Sequence, residues 1–175
     1  QLYIRHRLSS RWSIQASAAL QHRSENPEAY YPTPYYRNYR TLVHMKKELG
    51  KTQSQSYMLY TEYKRPVKEF FWTLMLNHFN IRQDHLMHTE YQDNRFKLTS
   101  LEHPHRTENY QARSLISKGF YSWNLKASLE AVYQYGKGLQ AGQGSVQPYE
   151  SHWLNMKPKV DWTPTHWLSA SYQVE

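Results

Sequence analysis

Residues 115–135, LISKGFYSWNLKASLEAVYQY, alternate in character more strictly than any other stretch of the chain. Tyr121, Trp123, Leu125, Ala127, Leu129, Ala131, Tyr133 and Tyr135 fall on one side. Phe120, Ser122, Asn124, Lys126, Ser128, Glu130, Val132 and Gln134 fall on the other. Side chains of a strand point alternately to opposite faces, whereas a helix needs apolar residues at i, i+3, i+4 and i+7. The pattern predicts one long strand over 120–135, with an apolar, aromatic-ended face and a polar, charged face. Soluble strands run to about 5–6 residues. A bilayer is crossed by roughly 9–11 tilted residues. The excess is expected to project beyond a bilayer into an extracellular loop.

The same alternation recurs along the chain. It appears in 2–8, is clean in 12–20, and returns in 53–63, 96–117, 153–162 and 167–174. Residues 70–81 are apolar on both faces, which fits a strand buried on both sides or a helix of about three turns, and Phe, Trp and Thr favour the strand. Short turns are expected near 9–11, 64–69, 117–119 and 163–166. Longer loops are expected at 23–52, 91–95 and 136–148, the last holding four of the six glycines. Within 23–52, Pro27, Pro32 and Pro34 interrupt any ladder, with strand extensions conceivable around 35–46. The expected fold is all-β: an antiparallel up-and-down transmembrane β-barrel sector of about eight strands, forming one partial domain over 1–175. Short and long connections alternate, as in outer-membrane barrels with short periplasmic turns and long extracellular loops. Trp12, Trp72, Trp123, Trp162 and Trp167 all lie close to the proposed short turns, where an interfacial aromatic belt would stand.

Composition restricts the alternatives. Mean hydropathy is −0.92, and no run of about 18 apolar residues provides a transmembrane helix. A barrel hides its hydrophobicity by alternation, so low hydropathy is compatible with a membrane protein. The net charge of +8 is spread along the chain rather than concentrated in a block, and reads mainly as solvated face and loop. With no cysteine there is no disulfide framework or thiolate metal site. The ten histidines include His85 and His88, and His103 and His105. None of these pairs has the further ligands that zinc requires. Asp84-His85 and Glu102-His103 are adjacent, and adjacent strand residues point apart. No catalytic residue, metal or cofactor is therefore expected, and the chain is not expected to be an enzyme. A competing class is a soluble, basic, all-β module binding an anionic or nucleic-acid ligand. Nucleic acid is not the expected partner.

The order of features resembles the β-barrel of a TonB-dependent outer-membrane receptor, of the type common in Bacteroidota. The residues carrying it are Tyr57-Met58-Leu59-Tyr60-Thr61-Glu62-Tyr63-Lys64-Arg65-Pro66 with Phe70-Phe71-Trp72, then Ile116-Ser117-Lys118-Gly119-Phe120. Tyr133-Gln134-Tyr135, the Gly-rich stretch and Trp162-Thr163-Pro164 complete the set. The resemblance implies a sector of a larger, roughly 22-stranded barrel. Neither a plug nor a TonB-box is visible, and the chain stops at Val174-Glu175 in mid-strand, so a fragment is expected. It further implies the bacterial outer membrane, contact with its lipid, TonB reached through the missing plug, and uptake of a scarce extracellular ligand. On this reading Tyr121, Trp123, Leu125, Leu129, Tyr133, Leu168 and Tyr172 face lipid. Lys126, Glu130, Lys157, Lys159 and Asp161 face the lumen. Tyr30, Tyr31, Tyr35, Tyr36 and Tyr39 form a candidate ligand-contacting loop, with 136–148 a second outward loop.

Overall fold

A computed structural model describes residues 1–24, 33–44, 51–92, 94–142 and 145–173. Its strands are β1 (Leu2–Arg7), β2 (Trp12–Ser24), β3 (Tyr35–Asn38), β4 (Thr41–His44), β5 (Lys51–Arg65), β6 (Phe70–Gln92), β7 (Arg95–Phe120), β8 (Leu125–Gly142), β9 (Ser145–Thr165) and β10 (Leu168–Gln173). Eight of them form one sheet in the order β1-β2-β5-β6-β7-β8-β9-β10, each antiparallel to its neighbour. β3 and β4 form a small hairpin whose β4 pairs parallel with residues 96–99 of β7. The fold is thus all-β and mostly antiparallel but mixed. The sheet is open, with β1 and β10 at its two edges.

The structure moves several expected boundaries. The strand expected over 120–135 is two strands. Tyr121–Trp123 form a 3-10 turn and Asn124 takes a left-handed conformation (φ 47°). The turn expected at 117–119 therefore lies at 121–124, and β7 runs on through Gly119. Tyr121 and Trp123 are turn residues, not members of the apolar face of a strand. The loop expected at 136–148 is largely strand, since β8 reaches Gly142 and β9 begins at Ser145. The long loop expected at 91–95 is a tight connection, with β6 ending at Gln92 and β7 starting at Arg95. The last turn falls at 166–167 rather than 163–166. The expected loop 23–52 contains β3 and β4, while Tyr30 and Tyr31 lie outside the described residues, as do Val174 and Glu175.

Proline sits where a ladder can spare a donor. Gln83 pairs with His105 and His85 with Glu102, so His103-Pro104 stand opposite the single residue Asp84 in a bulge. Thr163-Pro164 stand likewise opposite Ser169 on β10. β10 pairs with β9 only over 159–165, so Pro148 and Pro158 lie where β9 has one partner among the described residues.

The short connections repeat one device. Backbone N–H of Lys64 donates to the Arg11 carbonyl, Gly119 to Glu69 and Thr163 to Asn124, each at 2.9 Å. Each of these three turns is thereby latched to the strand leading into the next turn. Glu69, like Asn124, is left-handed (φ 47°). Successive hairpins are staggered as a result. Trp12 of β2 shares a row with Trp72, and β6 begins two residues beyond it at Phe70. Phe70 shares a row with Ala127, and β8 begins two residues beyond at Leu125. Leu125 pairs with Trp162, and β9 runs three residues further to Thr165, one of them the extra residue of the bulge.

Candidate membrane-facing surface

Paired residues of neighbouring strands share a face, so the registers sort every side chain of the sheet into two sets. One face is apolar between two aromatic limits. β6 contributes Phe70, Trp72, Leu74, Leu76 and His78; β8 contributes Leu125, Ala127, Leu129, Ala131, Tyr133 and Tyr135. Trp12, Ile14, Ala16, Ala18 and Leu20 of β2 lie on it, and so do Leu154, Met156, Pro158, Val160 and Trp162 of β9. Beyond the upper limit the same face turns polar within one step: Gln55, Asn80, Glu108, Lys137 and Glu150 form a cross-strand row.

No other layer covers this face among the described residues. The buried hydrophobic side chains among the described residues are Val43 of β4 and Leu86 toward the end of β6, not members of the apolar band. Leu129 is 40% exposed and Leu154 59%. A soluble sheet of this size would bury such a face against a second layer.

Two indoles of the apolar band find acceptors, while His78 Nε2 at its upper limit is buried without a partner. The indole N–H of Trp12 donates to Thr61 Oγ1 at 2.6 Å and that of Trp72 to Ser114 Oγ at 3.1 Å. Thr61 and Ser114 are the polar interruptions of β5 and β7 on this face, and each receives an indole. Lys118, on the same face near the turn end, bends its ammonium to the Lys68 carbonyl across the Phe120 ring. A lysine stem lying on apolar surface with its head at the margin is snorkelling geometry. At the opposite limit Tyr57, His78, Tyr110 and Tyr135 stack in a row, the closest pair being His78 and Tyr110 at 4.3 Å. Tyr110 Oη donates to Glu108 at 3.0 Å, and Tyr133 Oη meets His152 Nδ1 at 2.9 Å. The hydroxyls reach toward the polar row while the rings stay on the apolar side, the amphipathic posture of interfacial tyrosine. Glu108 is held below its usual carboxylate range, chiefly by the hydrogen bond from Lys137 and then by that from Tyr110.

The other face is polar on β8 and β9 but mixed on β5 to β7, where Met58, Phe71, Met75, Phe79, Ile81 and Leu115 stand among polar residues. Lys126, Glu130, Lys157, Lys159 and Asp161 all lie on it, as the sequence grouped them. Arg113 pairs with Glu130 at 2.9 Å and Lys159 with Asp161 at 3.0 Å, while Ser171 donates to Asp161 at 2.7 Å. Of the residues grouped with lipid, Leu125, Leu129, Tyr133 and Tyr172 share the apolar face. Leu168 opens β10 beside the bulge, and Tyr121 and Trp123 stand in the exposed turn. Of the candidate loop, Tyr35 and Tyr36 lie on β3 and Tyr39 in the turn after it. Arg95 donates to Tyr36 Oη at 3.0 Å. Sequence reasoning missed the indole acceptors Thr61 and Ser114, whose signal was a hydroxyl residue breaking an otherwise apolar alternation.

Among the described residues no three His, Asp or Glu side chains gather as a metal site, and no helix is long and apolar enough to cross a membrane. No protein-family model, curated protein or solved structure matches the chain.

Proposed function

We propose that the chain is a sector of an outer-membrane β-barrel wall, with the apolar face toward lipid and the charged face toward the lumen. The observation carrying this reading is the combined stagger and height of the apolar band. Each hairpin steps two residues past the one before, about 6.6 Å along the strand for about 9.6 Å across two strand spacings. If the turns share one membrane plane, the strands tilt by about 35°, within the range of transmembrane barrels. The band on β8 runs ten residue steps from Leu125 to Tyr135. That is about 33 Å of strand and about 27 Å of height at this tilt, against an apolar band of about 25 Å in such barrels. The sequence resemblance suggests the kind of barrel: a TonB-dependent receptor importing a scarce extracellular ligand, through a wall that neighbouring strands and a plug would complete.

The chain has no cysteine, so single cysteines can carry nitroxides without background. Labels at Leu129 and Ser128, adjacent on β8 and on opposite faces, are placed in phosphatidylcholine vesicles. The expected result is high oxygen access at 129 and high access of a water-soluble nickel complex at 128. Equal nickel access at both positions sinks the proposal. So does a chain that is monodisperse and β-rich without detergent.

A further inference from the structure

Two features of the apolar face adjoin along the strands. An open apolar trough of about 610 Å³ runs across the strands, lined by Ala16 and Ala18 of β2, Leu59 of β5, Leu76 of β6 and Ala112 of β7, with Ile4 and Tyr133 at its two sides. Immediately beyond the tyrosine–histidine row on the same face lie two polar cavities of about 420 and 530 Å³, which share Gln53 and Arg82. Lys51, Arg82 and Arg106 line them on this face, against the carboxylate of Asp84 and that of Glu108 beside Arg106; Arg23, paired with Thr52, belongs to the opposite face. His22, Gln53, Arg82 and Arg106 form one cross-strand row. Arg106 is held by Asn80 at 2.6 Å and Glu108 at 2.9 Å. Arg82 is exposed and makes no ion pair or side-chain hydrogen bond among the described residues. From Leu76 at the trough to Arg82 is six residues of β6, about 20 Å. That is the scale of an acyl chain ending in a headgroup.

We propose that this paired trough and cationic pocket bind one lipid with a phosphomonoester headgroup, the acyl chain lying in the apolar trough and the phosphate accepting from Arg82 and Arg106. The proposal rests on the membrane-facing reading of this surface and names a specific lipid chemistry for it. The guanidinium fork suits phosphate oxygens better than a zwitterionic head, whose own ammonium would meet the pocket's excess positive charge. The amide of Gln53 stands between the two arginines' strands and β2, and can add a donor without charge.

The test is native mass spectrometry of the whole chain folded in a neutral alkyl maltoside, with dioleoyl phosphatidic acid, dioleoylglycerol and phosphatidylcholine as probes. Phosphatidic acid is expected to give a saturable one-to-one adduct, and the other two none at the same concentration. Arg82→Gln with Arg106→Gln is expected to weaken the adduct by about tenfold or more, since charge-assisted bonds are lost. Arg82→Lys alone is expected to retain it, and Lys157→Gln on the opposite face to leave it unchanged. The proposal is overturned if dioleoylglycerol binds equally well, if the double substitution has no effect in a chain of unchanged circular dichroism, or if millimolar inorganic phosphate displaces the lipid completely. The last result would indicate a phosphate site without a lipid. The nitroxide pair at 128 and 129 is read on the same protein in phosphatidylcholine vesicles. Loss of the lipid adduct with that pair intact overturns only this proposal, whereas failure of the pair overturns the membrane reading and this proposal with it.

Discussion

Placing one lysine at three positions of β8 tests the membrane reading by magnitude. Leu125 opens the strand directly after the turn, Leu129 lies four residues further on the same face, and Ser128 is its neighbour on the other face. At about 35° tilt Leu129 stands about 11 Å above Leu125, close to the middle of a band about 27 Å high. A lysine at the midplane of a transmembrane barrel costs about 2–4 kcal/mol, falling to about 0–1 near an interface. Leu129→Lys is therefore expected to cost about 2–4 kcal/mol and Leu125→Lys about 0–1. Ser128→Lys is expected to stay within about 0.5 kcal/mol, as surface substitutions usually do. The assay is guanidinium unfolding in phosphatidylcholine vesicles followed by tryptophan fluorescence. With a slope of about 4 kcal/mol per molar denaturant, Leu129→Lys should lower the midpoint by about 0.5–1 M. Equal losses at 125 and 129 would refute the depth argument, because a face buried in a protein core has no such gradient. A larger loss at 128 than at 129 would reverse the assignment of the faces.

Three further outcomes follow from the turns and the polar row. A Cβ on Gly119 would come within 2.7 Å of Glu69 Cβ, so Gly119→Ala should destabilise by about 1–3 kcal/mol in the same unfolding assay. Asn124→Ala should cost about 1–2 kcal/mol for its left-handed backbone, whereas Asn124→Gly should be close to neutral; equal effects would remove the conformational explanation. Glu108 has a folded pKa below its usual 4.5, so its contribution to stability is fully present above about 4.5 and is lost as pH falls through the folded value. Lys137→Gln removes the largest cause, and a carbon-13 titration of the Glu108 carboxyl should then show its pKa rising toward 4.5.

Much of the sheet was legible because a strand's period of two writes both faces into the sequence. Seven strands of the main path and the grouping of Lys126, Glu130, Lys157, Lys159 and Asp161 on one face followed from alternation, β6 from its strand-favouring Phe, Trp and Thr, and the turn at Pro66 from proline's missing donor. The errors have local causes. Tyr121-Ser122-Trp123-Asn124 happens to continue the alternation of its flanks, so periodicity could not separate a 3-10 turn from a strand. Asn124, a residue that tolerates the left-handed region, was the available clue. Gly119 and the glycines of 136–148 suggested turns, yet Gly119 lies in a strand beneath Glu69. At Gly138 a Cβ would stand 3.0 Å from the Tyr149 ring, so that glycine serves close cross-strand approach. The β3–β4 hairpin and its parallel pairing with β7 left no periodic signal, being two four-residue strands in a proline- and tyrosine-rich stretch.

The sequence by itself determined which residues share a face, because alternation is local and survives any choice of partner strand. Register is not local. Only the tertiary structure decided that each hairpin steps two residues past the last, since that offset is set by backbone hydrogen bonds between residues as distant as Glu69 and Gly119. The stagger brings Trp12 to Thr61 and Trp72 to Ser114, and gathers His22, Gln53, Arg82 and Arg106 from four strands into one row.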